Sequence, residues 1–357
     1  MLFDLPLGFT GADSASLAAT AEADGLDGVW SAETGHDPYL PLLPAALATQ
    51  RITLGTAIAV AFPRSPMVHA QAAWDLQRAS RGRFILGLGA QVRAHNERRY
   101  SVPADRPAAR MRDLIRAIRA IWRSFQEGTP LRHSGEFYSL SLLPPFFNPG
   151  PLDVPAPLIF LAAVGEAMLR VAGGEADGVH VHPLHTERYL DTVVRPLVRG
   201  AASASGRDPD QVTLAVPAMI ATGRTADEAA AARGPLRAQV AFYASTPTYR
   251  PVLELEGQGE IADRLHRLSV QGRWPEMPAE VDDALLDSVC TTATWDELPA
   301  ALLRRYGTRA GRLMPYAVEP SAPWAEIARR LRDAAAAPVA EHAGAADASL
   351  RDDRGAG

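Results

Sequence analysis

The sequence predicts an α/β protein, a (β/α)8 barrel of the TIM type. Three observations predict it. Short apolar runs alternate with longer amphipathic ones along nearly the whole chain. Eight of the short runs read as strands, with helices between most of them, the rhythm of a parallel barrel. The length, 357 residues, exceeds one average domain but suits a single barrel. A doubly wound open sheet is the structural alternative.

In order, LFDLPLG (2–8) reads as the first strand, and Ser14 opens a helix through Ala23. GVWSAE (28–33) is the second strand. ITLGTAIAV (52–60), rich in β-branched residues, is the third. A helix follows from Pro66, a residue suited to a first turn. RFILGLG (83–89) is the fourth strand. From Asp105 to Gln126, one face carries Met111, Leu114, Ile118, Ile121 and Trp122, which predicts a long amphipathic helix. LRHSGEFYSLSLLPPFF (131–147) reads as an inserted hairpin, within an insertion at 131–150. LIFLAAV (158–164), DGVHVH (177–182), VTLAVPAMIAT (212–222) and RLMPYAV (312–318) complete the strands. The helical, polar stretch 246–290 breaks the rhythm and reads as an insertion before the last strand. Residues 1–335 then form one domain. Residues 336–357, poor in apolar side chains, read as a disordered tail.

Composition excludes several functions. A net charge of −5 argues against nucleic-acid binding. No apolar run has membrane-spanning length, and no basic stretch precedes an apolar core at the N-terminus, so the expectation is a cytoplasmic protein. The single cysteine, Cys290, rules out an internal disulfide and a multi-cysteine zinc site. Lysine is absent and all 36 basic residues are arginine, so Schiff-base and phosphate-loop lysine chemistry are both impossible.

Four stretches carry chemistry. In SRGRFILGLGAQVRAHNERRY (80–100), Gly87-Leu88-Gly89 lacks the third glycine of a dinucleotide fingerprint, because position 92 is Val. At the carboxyl end of a barrel strand, these glycines would let a flat ligand or a neighbouring loop approach the backbone. A tight strand end before a solvated arginine-rich helix explains the pattern equally well. In FLAAVGEAMLRVAGGEADGV (160–179), small residues lie where a strand turns into a helix. That start could hold a phosphate, or could serve close packing alone. WSAETGHDPYLP (30–41) places Glu33, His36 and Asp37 within five residues just after the second strand, a grouping suited to proton transfer. In HVHPLH (180–185), His180 and His182 share a strand face, but no clear set of carboxylates accompanies them, which argues against a metal.

Taken together, SAETGHDPYLPL, LGTAIAVAFPRSPMVHAQAAWDLQRASRGRFILGLGAQVRAHNERRY and AAVGEAMLRVAGGEADGV resemble the luciferase-like flavin and deazaflavin oxidoreductases. The middle stretch is most similar to the branch that uses coenzyme F420. The resemblance implies a barrel of bacterial-luciferase type, with a bulged third strand and a non-prolyl cis peptide at Ala57–Ile58 under the cofactor's middle ring. It implies that Gly89, Ala90, Gln91 and His95 face the cofactor, and that Ala162, Ala163, Val164 and Gly165 form its phosphate turn. Either Glu33 or His36 takes the acid or imidazole position after the second strand. Arg93 and Arg98, shortly after the fourth strand, are placed to meet the anionic tail of F420. The implied function is F420-dependent hydride transfer to or from a small organic substrate, in a homodimer. An FMN-dependent monooxygenase on the same fold is the runner-up, and a non-catalytic cofactor-binding or scaffold protein the third reading.

Overall fold

The computed structural model describes residues 1–8, 13–317, 319 and 321–336. Among the described residues twelve strands run in chain order: β1 (Leu2–Pro6), β2 (Gly28–Ser31), β3 (Thr53–Thr56), β4 (Ala59–Val60), β5 (Phe84–Gly89), β6 (His133–Ser134), β7 (Ser139–Leu140), β8 (Leu158–Ala163), β9 (Gly178–Val181), β10 (Thr213–Gly223), β11 (Cys290–Thr294) and β12 (Arg312–Pro315). Parallel pairing runs from β1 through β2, β3 with β4, β5, β8, β9, β10 and β12, and β12 pairs back on β1. The sheet is therefore closed, and eight strand positions make the ring once β3 and β4 count as one interrupted strand. The open-sheet alternative falls.

The interruption has a measurable register. Gly55 pairs with Ile85 and Ala59 with Leu88. Four steps on one strand thus oppose three on its neighbour, which is a β-bulge. It spans Ala57–Ile58, and that peptide bond is cis, as the resemblance implies. Thr56 turns the chain out of the ladder and substitutes its own side chain. Its hydroxyl accepts from the Gly87 amide at 2.9 Å and donates to the Gly87 carbonyl at 2.7 Å. A β-carbon at Gly87 would lie 1.7 Å from the Thr56 carbonyl oxygen, so no side chain fits there.

Helices cover the barrel. Ser14–Ala23 forms at the expected bounds. Pro66–Ala79 starts with Ser65 accepting from the Val68 amide at 3.3 Å, and Pro66 fills the first turn. Pro107–Glu127 buries the predicted apolar face, and its Trp122 and Phe125 pack on Trp74 of the helix Pro66–Ala79. Inside the ring, Trp30, Ile85, Phe160 and Ala215 form a small separate core. Its large rings fit because Gly55 and Gly178 leave room: a β-carbon there would come within 2.3 Å of Trp30 and 2.5 Å of Phe160.

Two excursions leave the ring. The expected hairpin is present as the antiparallel pair β6–β7. The longer excursion follows β10, and its helices begin at Ala226 and not at 246. Cys290, expected at the end of that insertion, opens β11. This strand pairs only with the outer half of β10, Met219–Gly223, and so extends the sheet outside the ring. Its sequence, CTTAT, has neither the apolar run nor the alternation that marks a strand. The tail expected from 336 falls, after residue 336, outside the described residues. Among the described residues no helix is long and apolar enough to cross a membrane.

Two glycine substitutions separate packing from propensity. Gly87→Ala is expected to lose about 3 kcal/mol of stability or more, because the obstacle is backbone and cannot rotate away. Gly200→Ala, in the helix Arg195–Ala204 with open space at its β-carbon, is expected to gain about 0.5–1 kcal/mol. Urea unfolding of both variants checks this pair. A Gly87→Ala protein as stable as the parent would contradict the bulge packing.

Candidate active site

At the carboxyl ends of the barrel strands lies a cleft of about 420 Å³. Side chains on alternate strand positions point into the ring, so the cleft floor comes from strand residues and its rim from the loops beyond. The floor is polar and buried. Asp4 accepts from Arg312 Nε at 2.7 Å and Nη2 at 2.8 Å, and from the Trp30 indole at 2.8 Å. Burial still raises the Asp4 pKa, opposed by Arg312 and by the Trp30 hydrogen bond. Above them His180 meets the edge of Trp30 at 4.9 Å.

One wall is the bulge. Ala57, Ile58, Gly89 and Gln91 all line the cleft. Gly89 is small because Ile58 lies against it: a β-carbon would come within 2.7 Å of the isoleucine side chain. Both glycines of the Gly-Leu-Gly turn thus serve contact with the third strand, and Gly89 also leaves the wall flat. Gln91 has a positive φ of 58° and its side-chain oxygen accepts from the Val92 amide at 2.9 Å.

Glu33 braces this wall from behind. Its amide donates to the Ile58 carbonyl at 3.1 Å. Its carboxylate accepts from the Val60 amide at 2.7 Å, from Arg64 at 2.7 Å and from the Tyr100 hydroxyl at 3.1 Å. The side chain is nearly enclosed, and Glu33 does not line the cleft. Glu33, which the sequence offered for proton transfer, thus turns its carboxylate toward the bulge, Arg64 and Tyr100. Arg64 also holds Asp37 at 2.8 Å. His36 is exposed on the loop after β2 and does not itself line the cleft, although Ala32 of the same loop does.

The remaining expected residues do not line the cleft. Ala90 is half-buried, while His95, Arg93 and Arg98 are exposed on the short helix Arg93–Arg98. Arg93 faces Glu97 at 3.5 Å. Ala162 and Ala163 end β8, and Ala162 stands beside Gly89. Val164 and Gly165 lead into the helix Glu166–Glu175, whose N-terminus has no side-chain cap. Gly165 has a φ of 63° with open space where a side chain would be. The first carboxylate, Glu166, is drawn to Arg170 at 3.0 Å and leaves those amides uncapped. A flat wall with an uncapped helix start beside it fits a planar ring system that carries a phosphate.

The opposite wall is aromatic and largely escaped the sequence reading. His182, considered there only as half of a metal pair, accepts from the Leu184 amide on Nδ1 at 3.1 Å. The neutral ring then carries its proton on Nε2. Tyr249 stacks on it at 3.9 Å and Tyr243 meets its edge at 4.7 Å. The Tyr243 and Tyr316 hydroxyls hydrogen-bond to each other. Burial, then the bond to Tyr316, raises the Tyr243 pKa well above the ordinary phenol range. In such a pair one hydroxyl donates to the other, which leaves the second proton free for an incoming oxygen. Tyr316 lies toward the end of the last predicted strand, 312–318, and just after β12, where barrel sites lie, so its place was a usable signal. Tyr243 and Tyr249 come from the excursion after β10, and nothing in AFYASTPTY points to a cleft.

Comparison with known proteins now decides the family. Residues 8–312 match the luciferase-like monooxygenase family. The chain belongs to that family. An uncharacterized protein of Mycobacterium tuberculosis is 46% identical over 304 residues, covering 85% of this chain and 89% of its own. A second M. tuberculosis protein, whose name assigns it provisionally to the coenzyme F420-dependent oxidoreductases, is 29% identical and covers 84% of this chain and 90% of its own. Among solved structures, coenzyme F420-dependent tetrahydromethanopterin reductase from Methanopyrus kandleri superposes with a TM-score of 0.71 at 20% identity, covering 92% of this chain and 96% of the other. An FMN complex of the oxygenating constituent of 3,6-diketocamphane monooxygenase from Pseudomonas putida gives 0.62 at 18% identity, covering 93% and 96%. This luciferase-like chain thus has the family's barrel, and its relatives include F420-dependent oxidoreductases and flavin monooxygenases.

The buried imidazoles of this luciferase-like barrel set its acid response. His69, His180, His182 and His185 have pKa values pushed down from 6.5 to about 4, 3, 3 and 4, each chiefly by burial. Below pH 6.5 the unfolded chain binds protons that the folded chain refuses. Stability present above that pH is therefore lost as pH falls toward the folded values, by at most about 1.4 kcal/mol per histidine per pH unit. Urea midpoints measured from about pH 7 to about pH 5 are expected to fall steeply. A flat profile across that window would mean the four rings protonate in place.

Proposed function

We propose that this protein is an F420-dependent oxidoreductase that transfers a hydride between the deazaflavin and a small organic substrate. The observation that carries the proposal is the pairing of two unlike walls in one cleft. The Ala57–Ile58 bulge with Gly89 offers a flat face for a planar ring, and the facing wall offers the His182 N–H and the Tyr243–Tyr316 hydroxyls. When bound, the deazaflavin supplies a carbon that exchanges hydride. The chain's own residues do the rest. Ala57, Ile58, Gly89, Ala90 and Gln91 hold the ring face, and His95 stands at its rim. Ala162, Ala163, Val164 and the Gly165 helix start receive the phosphate. Arg93 and Arg98 meet the carboxylate tail near the surface. The aromatic wall orients the substrate oxygen and excludes water around it. His36 carries the accompanying proton at the rim, and Glu33 keeps the bulge in place.

The relative provisionally named for F420 supports the deazaflavin over FMN. Exposed Leu40, Leu43, Leu47 and Val68, on and beside the helices Leu42–Ala48 and Pro66–Ala79, support a homodimer built on that face.

Titrating F420 and FMN side by side into the protein tests the cofactor. Tighter binding of F420 is expected, with no oxygen consumption on turnover. In Arg93→Ala/Arg98→Ala, F420 is expected to lose about 0–1 kcal/mol of binding, less at high salt, with FMN unaffected. Preference for FMN with oxygen uptake would establish the monooxygenase reading instead.

His36→Ala is expected to lower turnover roughly 100-fold while F420 affinity holds. Unchanged turnover in that variant, with loss in Tyr243→Phe, would move proton transfer to the phenol pair.

A further inference from the structure

The aromatic wall does not stop where the cleft stops. Tyr243, which lines the cleft, contacts Phe242 with ring centroids 5.7 Å apart. Phe242 contacts Trp274 at 6.1 Å. Neither Phe242 nor Trp274 lines the cleft, and they are 50% and 49% exposed. An unbroken series of rings therefore runs from His182, deep in the site, through Tyr243 and Phe242 to Trp274 on the outer surface.

Packing does not account for the outer two rings. The helix Arg233–Ala244 buries Leu236, Val240, Ala241 and Ala244, and the turn Trp274–Glu280 buries Met277. Phe242 and Trp274 contribute to neither core, yet two separate elements of the excursion bring them together. The nearest charge on the turn, Arg273, is bound to Glu276 at 2.6 Å, so its charge is satisfied beside Trp274. Contiguous exposed apolar surface that continues a pocket marks a place where apolar ligand is covered. The inner end suits the same occupant, because burial keeps His182 neutral and Tyr243 protonated, so no ionised group interrupts the track.

We propose that this series is a binding track for an extended alkyl chain, so that the substrate is a long-chain compound with its oxygen at Tyr243 and Tyr316 and its chain laid over Phe242 and Trp274. The proposal rests on the cleft being the substrate site of the function proposed above. A second copy of this chain is the competing occupant.

The test measures calorimetric binding of straight-chain methyl ketones of about six to about twelve carbons, with the full chain and with Phe242→Ala/Trp274→Ala. Both positions are exposed, so the fold is expected to survive. Leu142→Ala, an exposed apolar residue elsewhere, serves as control. In the parent and the control, affinity is expected to rise about 3–4-fold per added methylene through the longest ketones. In the double variant the short ketones are expected to bind as in the parent, while the rise stops early and the longest bind at least about 10-fold more weakly. The same chain-length dependence in the parent and the double variant would overturn the track. So would a parent that gains nothing beyond short chains, or binds no ketone at all. Loss of a dimer in the double variant, with chain-length dependence intact, would assign the rings to a contact between copies. F420 binding is scored separately on the same proteins, so failure of the cofactor assignment is distinguishable from failure of the track.

Discussion

Thr56 and Gly87 hold each other at a separation that only glycine permits, and the site is arranged around that contact. The threonine hydroxyl replaces the ladder bonds that β3 gives up as it leaves the sheet. With the ladder thus closed, the chain can carry an extra residue outward without stranding a buried amide, which is otherwise costly. The extra residue aims Ile58 across the cleft wall, and Ile58 in turn dictates glycine at 89. Glu33 and Arg64 fix the outer side of the same bulge. A polar residue near the active cleft thus has a mechanical task, to hold a surface flat and rigid.

The floor beneath is held by a different balance. Asp4, Arg312 and Trp30 satisfy one another in a nearly enclosed space. A buried pair of this kind adds little net stability, because desolvation offsets most of the attraction. What it does supply is a fixed position: the Trp30 ring is bonded at its nitrogen and held by Phe160 and His180 around it. That floor joins β1, β2 and β12, the strands at which the ring closes.

Above the floor, the two walls divide the labour. The bulge wall stands on β3, β4 and β5, which makes it precise, and Ala57 and Gly89 keep part of it small. The aromatic wall comes mainly from an excursion, which can vary without disturbing the ring. On the function proposed above, the cofactor takes the rigid side and the substrate the variable side, which suits a barrel that hosts several chemistries.

The sequence by itself determined eight strands spaced by helices, since each helix must bury one face and each strand two. The pairing of β12 with β1 decided between a ring and an open sheet. The bulge was legible only through the resemblance of LGTAIAV to the family's third strand, since nothing in the chain's periodicity marks it. The sequence missed β11, because CTTAT becomes a strand only where β10 offers a free edge. It placed Glu33 among proton carriers, because position after a strand is legible while direction is not: Arg64, thirty-one residues away, decides where that carboxylate points. His182 was visible, but its partners Tyr243 and Tyr249 lie sixty residues further on in a segment with no strand rhythm. Only the closing of the barrel, which returns β12 to β1 and folds the excursion over the cleft, brings those rings together. Local periodicity reports which face of an element is buried, and it carries no information about which distant residue meets that face.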